Sequence, residues 1–448
     1  MSFLESIQRG VESDPQLQGL VEKVEQAASL VLLILTALQL GRAIAVKVVE
    51  EILTERGQAP EAGCGQCEKC QAKLESKGLL PREILTLLGW VKWKRRVRRC
   101  PNGCEGSQVV PSDEVLGLTA YQKTGLEVKW LASALAIFVP FETAAVLLAM
   151  LTGVKVESKS IWLWVQERGQ LAKEQLEAQL VDLEAGEMPE VELKEAALKS
   201  LSLLIGSDGV MVPLRPHGGS PAGKTTWREV KVGILARLGE RANGAKQLVQ
   251  RRLVAFLGPV DDFAPRLWLE AVKQGVKEAK CVAWLSDGGR GYWGIYHDYF
   301  AQYATGILDF YHAAQNLWQG ARAGFDGRTA KAKQWFAKNR RCLRKGKVDK
   351  VLTDIEAAMA LEGLPISAHQ TLTNLYLYLD THREHIDYAQ FEKLGLPLGS
   401  GMVESACKWL IQQRFKGVGM RWSEDGFNHL LHLRLAWVNG RYDQLFAF

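Results

Sequence analysis

Leu203-Leu204-Ile205-Gly206-Ser207-Asp208-Gly209-Val210-Met211-Val212-Pro213-Leu214 is the stretch at which the chain changes texture. Before it, apolar residues recur at the three- and four-residue spacing of helices. From about residue 202 they come in short runs bounded by Gly, Pro and Ser, as strands do. The run is predicted to be a strand with one acid, Asp208, near its middle. Trp227–Ala236 and Arg252–Gly258 read as two further strands, the first joined to Leu203–Leu214 by a loose Gly- and Pro-rich hairpin, Pro216–Gly223. Pro265–Ala279 has the spacing of an amphipathic helix, and Cys281–Ser286 reads as a short buried strand ending at Asp287. Arg290–Phe300 resumes a helix, and Thr305–Leu308 is another short strand ending at Asp309.

Three antiparallel strands, then helix, strand, helix and strand is the ribonuclease H-like order. It would make neighbours of an acid on the first strand and an acid at the tip of the fourth. Residues 313–395 turn helical and basic, with Arg340, Arg341, Arg344, Lys345, Lys347 and Lys350, and read as an insertion before the strand-and-helix core resumes at Gly399. There Gly399-Ser400-Gly401-Met402-Val403-Glu404-Ser405-Ala406-Cys407-Lys408 is a tight turn running into a helix with an acid, Glu404, in its first turn. A last helix, roughly Ser423–Asn439, starts at a Ser cap.

Asp208, Asp287 and Glu404 together suit phosphodiester chemistry. Two divalent ions about 3.5–4 Å apart stabilise the attacking and the leaving oxygen. Magnesium takes a few carboxylates and completes its octahedron with water and phosphate, so three acids suffice; manganese is the alternative ion. Asp208 would bridge both ions while Asp287 and Glu404 complete one each. Lys408, one turn after Glu404, would pair with it or contact phosphate. Asp309 and His312 straddle the end of the fifth strand, where they would brace the site, bring His312 to the phosphate, or form a buried structural pair. Each acid also has a plainer reading: Ser-Asp-Gly is a frequent turn tripeptide, and Glu404 would suit a capping interaction.

Upstream, residues 1–58 look helical. Leu30-Val31-Leu32-Leu33-Ile34-Leu35 invites a membrane reading, but Gln39, Arg42 and Lys47 interrupt it before the roughly 20 residues a span needs, so a buried or dimerising helix and no membrane partner are expected. Two cysteine knuckles follow, Cys64-Gly65-Gln66-Cys67-Glu68-Lys69-Cys70 and Cys100-Pro101-Asn102-Gly103-Cys104. Cys67, Cys70, Cys100 and Cys104 are the expected tetrahedral ligands of a structural zinc, with Cys64 spare. The strand-like Ile84–Val97 between them is what a zinc ribbon carries. Lys92, Lys94, Arg95, Arg96, Arg98 and Arg99 feed the second knuckle and would lie along phosphates, or form a solvated strand. Phe141–Leu151, the turn Thr152–Val156 and a helix from Ser158 have the helix-turn-helix pattern, with Lys155, Ser158, Lys159 and Ser160 toward a DNA groove. Residues 170–199 read as a linker helix broken near Gly186–Pro189.

The chain is 448 residues long with a formal charge of +6, which permits a polyanionic partner without requiring one. Its clustered cysteines and the lack of a signal peptide read as cytosolic metal binding rather than a disulfide scaffold. The organisation is multidomain: a helical segment over 1–58, a zinc ribbon over 59–110, a helix-turn-helix region with linker helix over 111–200, an α/β core in two parts over 201–312 and 396–448, and an all-helical insertion over 313–395.

Asp208-Gly209-Val210-Met211-Val212-Pro213, Ser286-Asp287-Gly288, Leu308-Asp309-Phe310-Tyr311-His312-Ala313, Gly399 to Lys408 and Lys416-Gly417-Val418-Gly419-Met420-Arg421-Trp422 resemble the bacterial insertion-sequence transposases of the ISKra4 type. The resemblance covers most of the chain and is most specific around Glu404 and Met420; Gly289, Gly291 and the additional Cys64 depart from it. It implies a DDE transposase with a ribonuclease H-like catalytic domain and assigns Asp208, Asp287 and Glu404 as the triad. In related Mutator-like enzymes an Asp/Cys-x-x-His motif follows the second catalytic Asp, and Asp309 with His312 matches it. The partners implied are double-stranded DNA, as terminal inverted repeats and target, and by analogy a second copy of the chain on that DNA, in a bacterial cytoplasm and on the nucleoid. The competing readings are a non-catalytic DNA-binding regulator and a structure-selective nuclease on the same core.

Overall fold

A computed structural model describes residues 12–58, 65–104, 108–216 and 223–446. The expectations for residues 1–11, for Cys64 and for most of the Pro216–Gly223 hairpin lie outside the described residues. The chain divides into two compact units, Met1–Val165 with Phe446–Phe448, and Gln166–Leu445.

The first unit opens with α1 (Pro15–Glu25), whose N-terminus is capped by Asp14, and α2 (Leu30–Gln58). A β-hairpin follows, β1 (Glu75–Thr86) and β2 (Gly89–Arg99), turning at Leu87-Leu88 with Gly89 at φ +126°. β2 alternates as a half-buried strand should. Val91, Trp93 and Val97 point inward, with Val91, Trp93 and Ile84 packed on Val46, Val49 and Leu53 of α2, while Lys92 and Lys94 face water. The N-terminal part of α2 behaves differently: Leu30, Val31, Leu32, Ile34, Leu35 and Leu38 are all about half exposed or more. This corrects the expectation of a buried helix. By length and composition alone Leu30–Gly57, with mean hydropathy 1.8, is also long and apolar enough to cross a membrane.

After α3 (Pro111–Val115) come α4 (Leu126–Phe138) and α5 (Phe141–Thr152), which closes on Gly153 in the left-handed region at φ +74°. The side chain of Arg42 donates to the Leu151 carbonyl at that helix end. α6 begins at Ser158 and runs unbroken to Glu184, so the linker expected from residue 170 is a continuation of it. The break foreseen near Gly186–Pro189 comes at Ala185, ahead of the short α7 (Ala196–Lys199).

The second unit is built on a mixed five-stranded sheet in the order β5-β4-β3-β6-β7. β3 (Ser202–Leu214), β4 (Thr226–Glu240) and β5 (Lys246–Leu257) form an antiparallel meander; β6 (Val282–Ser286) runs parallel to β3, and β7 (Thr305–Leu308) parallel to β6. Every residue of β6 is buried, as expected for a parallel strand covered on both faces. α8 (Val260–Lys273) seats Leu267 and Phe263 against Gly233 of β4. α9 (Arg290–Ile295) makes the crossover to β7. Beyond it lie α10 (Phe310–Phe325), α11 (Ala330–Arg344), α12 (Val348–Met359), α13 (Ile366–Thr381) and α14 (Tyr388–Lys393), the helical block expected between 313 and 395. The chain then forms α15 (Gly401–Ala406), a π-helical stretch Cys407–Gln412, α16 (Gln413–Phe415) and α17 (Glu424–Val438), capped by Ser423. No described strand resumes here. The last part of the core is helical and touches the sheet's pairing only through a bridge from Trp422 to Leu214.

Candidate functional site

Asp208 sits within β3, paired with Val232, and not in a turn. Strand alternation puts it on the same face as Gly206, two residues earlier. A Cβ on Gly206 would lie 2.5 Å from Cγ2 of Val403, so α15 packs directly on the backbone of β3. Glu404 follows Val403 on that helix. The missing side chain at Gly206 is therefore what lets the helix bearing Glu404 close on the strand bearing Asp208.

Asp287 comes from the tip of β6, one strand over. Its Oδ1 accepts from the Gly289 amide at 3.0 Å, which shapes the turn into α9. Gly288 is left-handed at φ +97°, and a Cβ there would lie 2.5 Å from the Tyr378 ring. The Tyr378 hydroxyl donates to the Asp287 carbonyl at 3.0 Å. His382, one turn further on, hydrogen-bonds the Gly288 backbone, and burial pushes its imidazole down to about 4. The helical block thus grips the Asp287 turn through α13. Sequence reasoning missed this contact, because Tyr378 reads as an ordinary core aromatic.

Asp309 is only 1% exposed and makes four hydrogen bonds. Oδ1 accepts the amides of Tyr311 (2.6 Å) and His312 (2.9 Å), capping α10; Oδ2 accepts the amide and hydroxyl of Ser400, each at 2.5 Å. It ties the end of β7 to the turn that launches α15. Asp309 bonds the backbone of His312 and not its imidazole, so the two are not a buried side-chain pair. The ring is free to reach Glu404, with Nε2 3.8 Å from Oε1. Lys408 is exposed and forms no ion pair with Glu404 among the described residues; the helix widens to π geometry from Cys407, which moves it out of the expected register.

Asp208, Asp287, Glu404 and His312 share one electrostatic neighbourhood. Burial raises the Asp208 carboxyl above its ordinary range; the Gly209 amide opposes this, the charges of Asp287 and Glu404 add to it, and His312 opposes it. Nearby Cys407 is buried and pushed up to about 12, with Asp208 and Glu404 contributing. Glu404 itself keeps 63% of its side chain exposed, so the site opens to solvent on that side. A divalent cation suits this arrangement, since it would relieve both the buried charge and the mutual repulsion.

The cysteine group lies in the other unit and is closed. The Sγ atoms of Cys67, Cys70, Cys100 and Cys104 all lie within 4.8 Å of one another. The edge of a zinc–thiolate tetrahedron is about 3.8 Å, from Zn–S bonds of about 2.3 Å, so the four could hold one ion. The pairing of Glu75 with Arg99 at the open end of the β1–β2 hairpin brings the knuckles together, and Gly103, at φ +69°, permits the second turn. The Cys70 thiol is lowered to about 6 by the Ala72 amide and by Cys100 and Asn102, and Cys104 is pushed up to about 12 by Cys70 and Cys100. Among the described residues this is the one group of such ligands so tightly drawn.

The cationic run of β2 is divided by its strand. Arg95 is buried, with Nε donating to both carboxylate oxygens of Asp113 at 3.0 and 2.9 Å, and Arg98 is also buried. Neither presents its charge to a partner, which removes both from the expected DNA-facing set. Lys92, Lys94 and Arg99 are exposed; Arg96 is half-buried and donates to Ser76. In the α5–α6 turn Lys155 and Lys159 are exposed while Ser158 and Ser160 are half-buried.

No family model matches the chain. Over 369 residues it is 25% identical to a UPF0236 protein in the vanSb 3′ region of Streptococcus gallolyticus, spanning 81% of this chain and 74% of that protein. Among solved structures it is similar to the Drosophila P element transposase strand transfer complex, at 11% identity over 74% of this chain and 83% of that one, with a TM-score of 0.25. A score that low says nothing about shared fold.

Proposed function

We propose that this chain is a DNA transposase of the DDE type, which binds the terminal inverted repeats of its element and cuts and joins phosphodiesters at Asp208, Asp287 and Glu404. The observation that carries the reading is the setting of Asp208: a half-buried acid on the central strand, raised first by burial and further by the acids at the β6 tip and on α15. The strand order supports a ribonuclease H-like core, with its first strand central and its fourth alongside.

Two magnesium or manganese ions held there would stabilise the attacking and leaving oxygens together. Asp208 would bridge them, and Asp287 and Glu404 would each complete one. In the first step a water oxygen bonds to phosphorus, the bond to the 3′ oxygen breaks, and that oxygen leaves with a proton. The freed 3′-hydroxyl then repeats the exchange on target DNA. His312 stands beside Glu404 and orients it or contacts the phosphate; Asp309 fixes the turn below both. A structural zinc on the four cysteines, the helix-turn-helix from α5 to α6, and the exposed Lys92, Lys94, Arg99, Lys155 and Lys159 belong to DNA binding in this reading. So do assembly as a dimer on DNA and residence in a bacterial cytoplasm.

The test uses duplex DNA carrying the genomic flanks of the coding region. The wild-type chain is expected to nick it in magnesium, while Glu404→Gln and Asp208→Asn bind it unchanged and do not cut. Cutting by either variant would overturn the site assignment.

A further inference from the structure

α11 and the turn after it hold the densest charge in the chain. From residue 331 to 350, nine lysines and arginines stand against one acid, Asp349, although the whole chain carries only +6. Lys338 is taken by Asp354 at 2.7 Å and Arg344 by Glu392 at 2.5 Å. Arg340, Arg341 and Lys345 are exposed and form no ion pair among the described residues. They line a groove of about 750 Å³ between α11 and α14, floored by Phe336, Ala337 and Ala389.

An ordinary solvated helix face intersperses acids so that neighbours one turn apart attract. Here Arg340 and Arg344 stand one turn apart, as do Arg341 and Lys345, and both pairs repel. Like charges held at that spacing around a concave surface fit an anion that bridges them. Guanidinium forks match phosphate oxygens in pairs, and neither the uncharged floor residues nor Glu392, paired with Arg344, opposes an incoming anion. Arg340 and Arg344 also stack over Phe310, at 5.2 and 5.8 Å, and Phe310 directly follows Asp309. The groove is therefore braced against the same helix start that positions the turn before Glu404.

We propose that the α11–α14 groove seats the phosphate backbone of duplex DNA, as a contact surface separate from the carboxylates. The inference rests on the function proposed above and extends it to a surface that the function does not need for chemistry. From Arg340 to Lys345 the helix rises about 8 Å, enough to meet two or three phosphates of one strand.

The test is fluorescence anisotropy of the full chain on a short labelled duplex of random sequence, without divalent ions, between about 50 and 200 mM salt. Replacing Arg340, Arg341 and Lys345 by Ala together is expected to weaken binding at least tenfold. It should also lower the slope of log affinity against log salt by about 2 to 3, at about 0.9 per phosphate contact. Arg340→Lys with Arg341→Lys keeps the charge and should keep the slope, which guards against a folding defect. Removing exposed Lys194, Lys277 and Lys280 instead is the charge-matched control and should leave the slope within one unit of wild type. Wild-type affinity and slope in the triple variant would overturn the groove and leave the transposase reading standing. A wild-type chain that binds no duplex would overturn both.

Discussion

The cysteine group and the carboxylate group handle charge in opposite ways. Four thiols, two of them buried, close within 4.8 Å in a pocket made by one hairpin and two knuckles. Nothing enters such a site once it holds an ion, so its contribution is to folding. The carboxylates come from two strands and a helix spread over 197 residues of sequence, from 208 to 404, with Asp208 half-buried and Glu404 open to water. Burial raises Asp208, and among the described residues it forms no ion pair. A closed thiol cage suits a structural role, whereas an open cluster of acids suits, in the function proposed above, a cation and a phosphate that come and go.

The largest effect expected from that contrast is on catalysis. Glu404→Gln should lower magnesium-dependent nicking by on the order of a thousandfold, about 4 kcal/mol, with the melting temperature unchanged. Nicking within tenfold of wild type would mean that the open site is not the chemical one. Zinc removal should act in the opposite sense. Structural zinc contributes roughly 10–16 kcal/mol in small domains, so a chelator should unfold the β1–β2 region, seen as a red shift of Trp93 emission. The transition of the Gln166–Leu445 unit, which has its own core, should move by less than about 2 °C. A single transition that collapses as a whole would dissolve the contrast between the two sites.

Gly206→Ala probes the contact that sets the open site. The new methyl would meet Val403 and force α15 outward, at an expected cost of about 1–3 kcal/mol, read by denaturant unfolding. Nicking should fall further than this destabilisation explains, because Glu404 moves with the helix. An unchanged rate would show that α15 does not set the geometry. The smallest effect is on pH dependence. The Asp208 carboxyl is raised in the folded state, so its ionised form opposes folding above that raised value. This penalty shrinks as pH falls from that value toward the ordinary carboxylate range and is gone below it. Asp208→Asn should therefore raise the melting temperature at neutral pH without divalent ions, and the gain should vanish in acid. A lower melting temperature at neutral pH would contradict the burial penalty assigned to Asp208.

The two sites were not equally legible in the sequence. The cysteines announce themselves because both knuckles are local: Cys67 and Cys70, and Cys100 and Cys104, sit at ligand spacing in the chain. The sheet was legible too, since short apolar runs bounded by Gly and Pro marked all five strands. β5 starts six residues ahead of the apolar run Arg252–Gly258, because its polar start at Lys246 lacks a strand signature. What stayed hidden depends on contacts between distant elements. Gly206 looks like any strand glycine until Val403 is seen against it, and Tyr378 looks like core until its hydroxyl meets Asp287. The cationic run from Lys92 to Arg99 looked continuous, but strand alternation and the distant Asp113 turned Arg95 inward. The turn into a helix at Gly399–Lys408 was legible, but not that a distant side chain, Asp309, holds the turn through Ser400.

The most direct measurement is a calorimetric titration of manganese into the zinc-loaded chain and into Asp208→Asn. The account predicts two ions bound per wild-type chain and loss of both in the variant, because Asp208 is the ligand the proposed function shares between them. Wild-type binding that survives intact in Asp208→Asn, or no binding by the wild-type chain, would contradict it.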